Sequence, residues 1–446
     1  MGRNTRMAML RRPGAASSAI AKDGRLAIMV RATLFAAGVM VGFSSHGVSA
    51  AAPTGAAGGQ VWDLASQRGA SRDFNAARPN ARGQTPAFPN QTRAPVIKDD
   101  IRLQTRVIAS GLERPWGMAE MPDGRWLVTE RPGRLRIVSA DGVVSPPVKG
   151  LPAVDARGQG GLLDVAVRDD FARTRRVWWS FAEPRGGGTN ATAVATGVLA
   201  PDGAAMSDVR VIFRQEPPWK STLHFGSRLV FAPDGALFVT TGERSHNEPR
   251  KLAQDVTTLL GKVVRLDPEG GAAKGNPRIP GGRPEIWSWG HRNLQSAAIG
   301  PDGALWTVEH GPRGGDELNR PQAGRNHGWP IITYGVEYSG QKVGEGRTRQ
   351  EGMEQPVYYW DPVIAPSGLA FYDGALFPTW RGSALIGALR DETLVRLTLA
   401  EGKVTGEARY LKGIGRVRDV RVGRDGAIML LTDANDGEMI RVTPAP

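Results

Sequence analysis

The residues best suited to chemistry lie between Trp287 and Trp329, where two polar clusters flank one apolar segment. The first cluster is His291–Asn293, and the second, Glu309–Glu317, is rich in glycine and carboxylates. Oxygen-rich loops that are bent by glycine suit hard cations such as calcium. The alternative is a solvated turn whose charges bind no ligand.

The second cluster holds the groups that could ligate such a cation. Gly311 and Pro312 can offer backbone carbonyls, and Asp316 and Glu317 can offer carboxylates. Calcium accepts both kinds of oxygen ligand. The cluster is therefore a candidate calcium site.

A histidine and a set of arginines add two further kinds of chemistry. His224 is one of only six histidines, and a neutral imidazole can take a proton near neutral pH. A hydrogen-bonded structural histidine is the alternative. Guanidinium groups pair bidentately with carboxylates, so several arginines together can hold a polycarboxylate, although each one alone could equally be a surface charge. The candidates are Arg292, Arg390, Arg416 and Arg418.

An internal repeat identifies the elements that must position these residues. An Asp-Gly turn followed by an apolar segment occurs four times, and two weaker copies follow the same plan. Tight Asp-Gly turns commonly join antiparallel strands. The aspartates of the six copies are Asp123, Asp170, Asp234, Asp302, Asp373 and Asp425.

Six units of similar length, built from short strands, are typical of β-propeller blades. We therefore predict that residues 101–446 form one all-β domain, a six-bladed β-propeller. Leu103–Ala109 is expected to close the ring beside Met439–Val442. Two stacked sandwiches would not explain six units.

Composition excludes several classes of function. There is no cysteine, which excludes disulfides, thiolate metal sites and a cysteine nucleophile. The formal charge is +13, of which residues 1–50 supply +6, and no basic tract or nucleic-acid-binding motif follows. We therefore expect no nucleic-acid partner.

The first hundred residues differ from the rest. Residues 1–50 resemble an export signal, with a basic start at Met29–Arg31, an apolar core at Ala32–Phe43 and a small-residue cleavage site ending at Ala50. A retained membrane anchor is the alternative, but the apolar core is short for a bilayer. Residues 51–100 have few bulky apolar residues, so we expect a disordered linker. The mature protein should be periplasmic, without stable membrane insertion.

Several motifs resemble those of a known family. GQGGLLDV, HFGSRLVF, GHRN, EHGPRGGDE, GRNHGWP and RVRDV occur in the order that is found in soluble aldose sugar dehydrogenases. These resemble the soluble glucose dehydrogenases that use pyrroloquinoline quinone (PQQ). The resemblance covers essentially all of residues 101–446 and implies a six-bladed propeller, in agreement with the repeat.

The resemblance also implies roles for individual residues. His224 would be the base that takes the proton of the anomeric hydroxyl, while hydride passes from sugar C1 to the quinone. Arg292 would stabilise negative charge on the reacting oxygen. Calcium, held by the carbonyls of Gly311 and Pro312, would act as a Lewis acid. The implied contacts to the cofactor, a tricarboxylate, are Gln159, Arg292, Asn293, Arg390, Arg416 and Arg418.

A second calcium and three departures complete the comparison with the family. The resemblance implies a structural calcium bound by Glu317 and a backbone carbonyl near His327. Arg390 stands where many relatives have lysine, which keeps the charge but not its geometry. His327 replaces a common tyrosine, which a carbonyl ligand tolerates. His310 replaces the glutamine of glucose-type enzymes and favours the aldose branch.

We therefore predict a PQQ- and calcium-dependent oxidoreductase that converts an aldose to its lactone. One alternative is a calcium-dependent lactonase or esterase on a similar propeller, and another is a propeller that binds sugar or protein without turnover. No haem-attachment motif is present, so electrons must leave to a separate acceptor, whose identity no motif specifies. Monomer and homodimer both remain open.

Overall fold

The computed structural model describes residues 59–62 and 74–446. Its strands form six sheets, which are antiparallel except where the short strand Arg325–Asn326 pairs in parallel with Ile286–Trp289. The innermost strands of successive sheets contact one another, and the last returns to the first, so the sheets close into a ring. The predicted all-β, six-bladed propeller is confirmed.

The strands follow the chain from blade to blade. Two strands precede blade 1, β1 (Gln60–Trp62) and β2 (Leu103–Leu112). Blade 1 contains β3 (Pro115–Glu120), β4 (Trp126–Glu130) and β5 (Arg134–Val138). Blade 2 contains β6 (Leu162–Val167), β7 (Arg176–Pro184), β8 (Asn190–Leu199) and β9 (Met206–Arg214). Blade 3 contains β10 (Gly226–Phe231), β11 (Leu237–Thr241), β12 (Lys262–Leu266) and β13 (Ile286–Trp289).

The second half repeats this plan. Blade 4 contains β14 (Leu294–Ile299), β15 (Leu305–Glu309) and β16 (Asp316–Asn319); β17 (Arg325–Asn326) then pairs with β13, and β18 (Tyr358–Trp360) completes blade 4. Blade 5 contains β19 (Pro366–Phe371), β20 (Ala384–Ala388), β21 (Thr393–Ala400) and β22 (Lys403–Tyr410). Blade 6 contains β23 (Val417–Val422), β24 (Ile428–Thr432) and β25 (Gly437–Pro444). The described helices are short: α1 (Phe171–Thr174), α2 (Asn247–Lys251), and 3₁₀ turns at Gly186–Gly188 and Pro378–Trp380.

The repeated Asp-Gly turn joins the first two strands of a blade. In four blades its glycine has a positive φ, between 73° and 86°, which glycine adopts without steric cost. The aspartate carboxylate accepts the backbone N–H two residues later, as from Ala304 to Asp302 at 3.1 Å. The glycines are Gly124, Gly235, Gly303 and Gly426.

The core lies between the blades. Six main apolar clusters of the described residues each join two neighbouring blades, so every sheet is covered on both faces. The second strand is accordingly buried throughout in five of the six blades, as in β11 and β15, and in blade 2 the interior of β7 is buried. Each fully buried Val, Leu or Ile stabilises the fold by roughly 1.5–3 kcal/mol. No blade could bury these side chains alone.

The ring closes with strands from both ends of the domain. β2 pairs antiparallel with β25, with Val107 opposite Ile440 and Ala109 opposite Met439. This is the predicted closure. β1 adds a further strand outside β2.

The prediction of a disordered linker over 51–100 does not hold for residues 74–100, which pack against the propeller. Ala81, Gln91 and Ala94 are buried, and the Gln91 side chain donates to the Pro356 carbonyl at 2.9 Å. Composition was a poor guide here because hydrogen bonds to the propeller, together with a few apolar residues such as Phe74 and Ile97, hold this segment. The predicted signal, residues 1–50, lies outside the described residues. Among those described, no helix is long and apolar enough to cross a membrane.

Candidate active site

His224 lies in the loop that enters blade 3, and two loops hold it. Its backbone is left-handed, with φ of 49°, and its N–H donates to Gln159 Oε1 at 2.8 Å. The N–H of Gln159 in turn donates to the Thr222 carbonyl at 2.8 Å. The loops before blades 2 and 3 therefore meet at the imidazole, which is buried.

A carboxylate and a guanidinium set the protonation of His224. Nδ1 of His224 lies 3.2 Å from Oε2 of Glu243, a buried residue just after β11. Burial lowers the pKa of His224, as does the charge of Arg292, whereas Glu243 raises it, and the net shift is downward. Burial raises the pKa of Glu243, but the neighbouring His224 and Arg292 outweigh it, so the carboxylate stays ionised. A neutral imidazole whose proton is on Nδ1, the nitrogen 3.2 Å from Glu243, has Nε2 free to accept a proton.

Arg292 is fixed from both sides. Its N–H donates to Glu309 Oε2 at 2.7 Å, and its Nη1 donates to the His310 carbonyl at 3.0 Å. The guanidinium lies over the Trp329 ring, 5.2 Å from the centroid. The Arg292 carbonyl accepts the N–H of Glu243 at 2.9 Å, which ties this arginine to the group behind His224.

Asn293 links this cluster to β10. Its Oδ1 accepts the Gly226 N–H at 3.2 Å, while its Nδ2 is buried without a partner among the described residues. The same holds for Nε of Arg292 and Nε of Arg418. Buried donors of this kind normally meet a partner, so they mark the surface where a ligand with acceptor oxygens fits.

A cavity of about 200 Å³, lined by four arginines, lies beside these groups. Gln159, Phe225 and Arg418 line it, whereas His224, Arg292 and Asn293 are not among its lining residues. Arg418 donates to Gln295 Oε1 at 3.1 Å and to Asp433 Oδ2 at 2.8 Å. Burial raises the pKa of Asp433, but Arg418 and Arg416 outweigh it and hold that pKa at about 2. One carboxylate thus faces four guanidiniums, an arrangement that fits an anion such as a tricarboxylate. Lining residues include Arg114, Trp116, Arg131, Gln159, Phe225, His310, Arg416, Arg418 and Asp433.

Arg390 is a predicted site residue that, like His224, Arg292 and Asn293, is not among the residues lining this cavity. Its backbone N–H donates to Ile364 at 3.0 Å, and its side chain is exposed. Leu389, one residue earlier, lines the cavity instead. The arginine thus stands at the rim.

The loop after β15 has two carbonyls available for a cation. Asp316 Oδ1 accepts the Gly311 N–H at 2.9 Å, and its Oδ2 accepts the N–H groups of Ile364 and Ala365 at 2.9 and 2.8 Å. A Cβ at Gly311 would lie 2.2 Å from the Gly315 carbonyl oxygen, so the turn requires glycine. No described residue donates a hydrogen bond to the carbonyls of Gly311 or Pro312, and these oxygens fit calcium.

The second candidate metal position lies beside it. Asn319 Nδ2 donates to the buried Glu309 at 2.9 Å and to the half-buried Glu317 at 3.0 Å, so two carboxylates share one amide. Burial raises the pKa of Glu317, and the negative charge of Glu309 raises it further. A cation bound here would oppose both effects by stabilising the ionised carboxylate. His327 stacks on His291 at 4.5 Å. Among the described residues no three His, Cys, Asp or Glu side chains converge as a metal site, so a calcium here would also need backbone carbonyls, as predicted near His327.

Sequence reasoning gave no role to the acids that back these residues. Glu243, Glu309 and Asp433 each lie at the end of, or just after, the second strand of a blade. Each holds a predicted site residue: His224, Arg292 and Arg418, respectively. An acid recurring at one position of the repeat was the signal that could have found them.

Comparison with known proteins shows the family of the chain. A profile of the family described as Glucose / Sorbosone dehydrogenase matches residues 112–441. The chain is 45% identical over 348 residues to "Aldose sugar dehydrogenase YliI" of Escherichia coli strain K12, covering 77% of this chain and 93% of that one. A solved glucose dehydrogenase shares 48% identity with a TM-score of 0.74, covering 77% of this chain and 99% of its own. The PQQ-bound aldose sugar dehydrogenase of Streptomyces coelicolor shares 29% identity with a TM-score of 0.64, over 78% and 100% of the two chains. The chain therefore belongs to the glucose/sorbosone dehydrogenase family, as its motifs predicted.

Proposed function

We propose that this enzyme is a periplasmic aldose dehydrogenase that uses PQQ and calcium to oxidise a sugar at C1 to the lactone. The observation that carries the proposal is the buried His224 imidazole, which lies 3.2 Å from the Glu243 carboxylate and one residue from Phe225, in the wall of the cavity that four arginines line. The family and the PQQ-bound relative support it. The export signal predicted in residues 1–50 supports the compartment.

The residues of the chain suit the proton transfer that such an oxidation requires. The free Nε2 of His224 is the acceptor for the proton of the anomeric hydroxyl. Glu243 then stabilises the imidazolium that forms. The buried guanidinium of Arg292 stabilises negative charge on the sugar oxygen, because buried charges interact strongly.

The cofactor sites follow from the cavity walls. When bound, PQQ supplies a quinone that accepts hydride from C1, and calcium supplies a Lewis acid. Arg416 and Arg418 would hold its carboxylates, with Gln159 and Asn293 as further polar contacts. Arg390 would reach it only from the rim. The carbonyls of Gly311 and Pro312 would hold the catalytic calcium. Glu317 and a backbone carbonyl near His327 would hold the structural calcium.

The test is a cofactor titration of the protein without its signal. PQQ and calcium are added, then an aldose, and the cofactor absorption is followed. We expect tight binding and bleaching on sugar addition, with bleaching lost in His224→Ala and kept in His246→Ala, an exposed histidine. Binding without bleaching would overturn the sugar class. No binding, together with hydrolysis of a lactone, would replace the proposal with the lactonase.

A further inference from the structure

The N-terminal arm, defined here as residues 74–98, lies outside the part of the chain that matches the family. Solved relatives are covered over 99% or 100% of their length while they match only 77% or 78% of this chain. The arm nevertheless packs on the propeller. Its contacts lead to the two candidate calcium positions.

The first contact is with Asp361, in the loop between blades 4 and 5. The carboxylate of Asp361 accepts the N–H groups of Asn80 and Ala81. In return, Asn80 Oδ1 accepts the Val363 N–H at 3.0 Å. Arg93 Nη2 donates to the Asp361 carbonyl at 2.8 Å. Two parts of the arm thus hold one loop.

That loop packs directly on the segment with the free carbonyls. A Cβ built at Gly314 would lie 3.2 Å from Asp361 Cγ and 3.3 Å from Ala81 Cβ, so the arm closes over this glycine. A few residues further on, Ile364 donates to Asp316, the carboxylate that also holds Gly311. The position of the Gly311 and Pro312 carbonyls therefore depends on a loop that the arm clamps.

The second contact is with the strand beside Glu317. Gln91 is fully buried, and its Oε1 accepts the Tyr334 hydroxyl at 3.0 Å. Its carbonyl accepts the Tyr359 N–H at 2.8 Å, and Tyr359 lies opposite Glu317 in the pairing of β18 with β16. Tyr334 and Tyr359 stack with centroids 3.9 Å apart. Gln91 thus fixes the wall behind the second position.

These loops need an external support. Gly314 and Gly315 have φ of 89° and 69°, and glycines lose more conformational freedom on ordering than any other residue. A site that is ordered before the ligand arrives binds it more tightly. We infer that the arm is a positioning element that orders both metal-binding loops and so raises calcium affinity. This inference rests on the calcium sites of the proposed function.

Calcium titration by calorimetry, on the signal-free protein without PQQ, tests it. Gln91→Ala and Asp361→Ala remove the two contacts, and we expect each to weaken calcium binding by about tenfold or more, as outer-shell changes do. Phe74→Ala is the matched control. Phe74 is also a buried arm residue, but it packs on Arg409 of blade 5, 4.4 Å from ring to guanidinium, and should leave affinity unchanged. Asp361→Asn, which keeps one acceptor oxygen, should give an intermediate loss and serves if Asp361→Ala does not fold.

Three results would overturn the inference. Wild-type affinity in the folded Gln91→Ala and Asp361→Ala proteins would make the arm a stabiliser of the fold alone. An equal loss of calcium affinity in Phe74→Ala would mean that any weakening of the arm lowers affinity, whichever part of the propeller it contacts. Both would leave the proposed function standing. A wild-type protein that binds no calcium would remove the inference together with the calcium part of the proposed function.

Discussion

At the scale of single residues, the candidate site depends on opposed charges around one imidazole. Arg292 and burial lower the pKa of His224, and Glu243 raises it. The balance keeps His224 neutral at pH 7, because the ordinary histidine pKa is already about 6.5. A neutral imidazole is the form that can accept a proton.

The pH dependence of kcat/KM checks this balance. Activity should rise with pH along an acidic limb whose midpoint lies below the ordinary histidine pKa of about 6.5. Glu243→Gln removes a group that raises the pKa of His224, so the limb should move to lower pH. The plateau should fall, because the imidazolium loses its carboxylate; removing a general base costs about 10²–10⁴-fold, and this change should cost less. A limb that moves to higher pH would contradict the assignment.

At the scale of elements, the Asp-Gly turns require a left-handed backbone that only glycine adopts without strain. Gly303 has φ of 73° in open space, so Gly303→Ala adds backbone strain and no clash. We expect a loss of about 1–2 kcal/mol in the free energy of unfolding, measured with urea. Gly186, also in open space but without a positive φ, is the control, and Gly186→Ala should change little. Equal effects would show that the left-handed turn is not the cause.

A buried lysine holds the loop before β12. Nζ of Lys262 donates to the carbonyls of Leu252, Ala253 and Leu260. The Ala253 carbonyl also accepts the Gly290 N–H at 2.9 Å, next to the Arg292 segment.

Lys262→Met would remove the ammonium donor from these carbonyls. We expect a loss of about 1–3 kcal/mol, the cost of one unsatisfied buried group. The Leu260 carbonyl loses its donor, whereas the carbonyls of Leu252 and Ala253 keep the N–H groups of Asp255 and Gly290. Lys251→Met, at an exposed lysine, should stay within about 0.5 kcal/mol. The Tm of each variant, measured by thermal unfolding, tests this expectation. A similar Tm for both would exclude a structural role for this ammonium.

At the scale of the whole molecule, what the sequence predicts depends on how far apart the partners lie. The Asp-Gly turns are local, so they predicted all six blades. The pairs that build the site are not local: Arg418 meets Gln295, and the arm meets Asp361. One sequence carries no signal for such pairs, so the ordered arm was missed. The role of Glu243 was missed as well, although an acid recurs at that position of the repeat. The family resemblance implied that Arg390 contacts the cofactor, but it is the neighbouring residue, Leu389, that lines the cavity.

Ring closure is the property that belongs to the whole molecule. β2 precedes blade 1 in the chain but pairs with β25 in blade 6, so one strand joins the two ends. Leu103 in β2 is fully buried in the cluster between blades 5 and 6. The cavity spans this seam, since Arg114 follows β2 and Arg418 lies in β23.

Leu103→Ala should therefore weaken both the fold and the cavity. We expect a loss of about 2–5 kcal/mol, the usual cost of such a buried truncation. Val107→Ala, on the same strand at a residue that is 49% exposed, should cost about 1 kcal/mol or less. Because the seam holds cavity residues, circular dichroism and the absorption of bound PQQ should report one transition for Leu103→Ala, at lower denaturant than wild type. A cofactor signal that persists after the strands unfold would mean that the ring is not needed to hold the site.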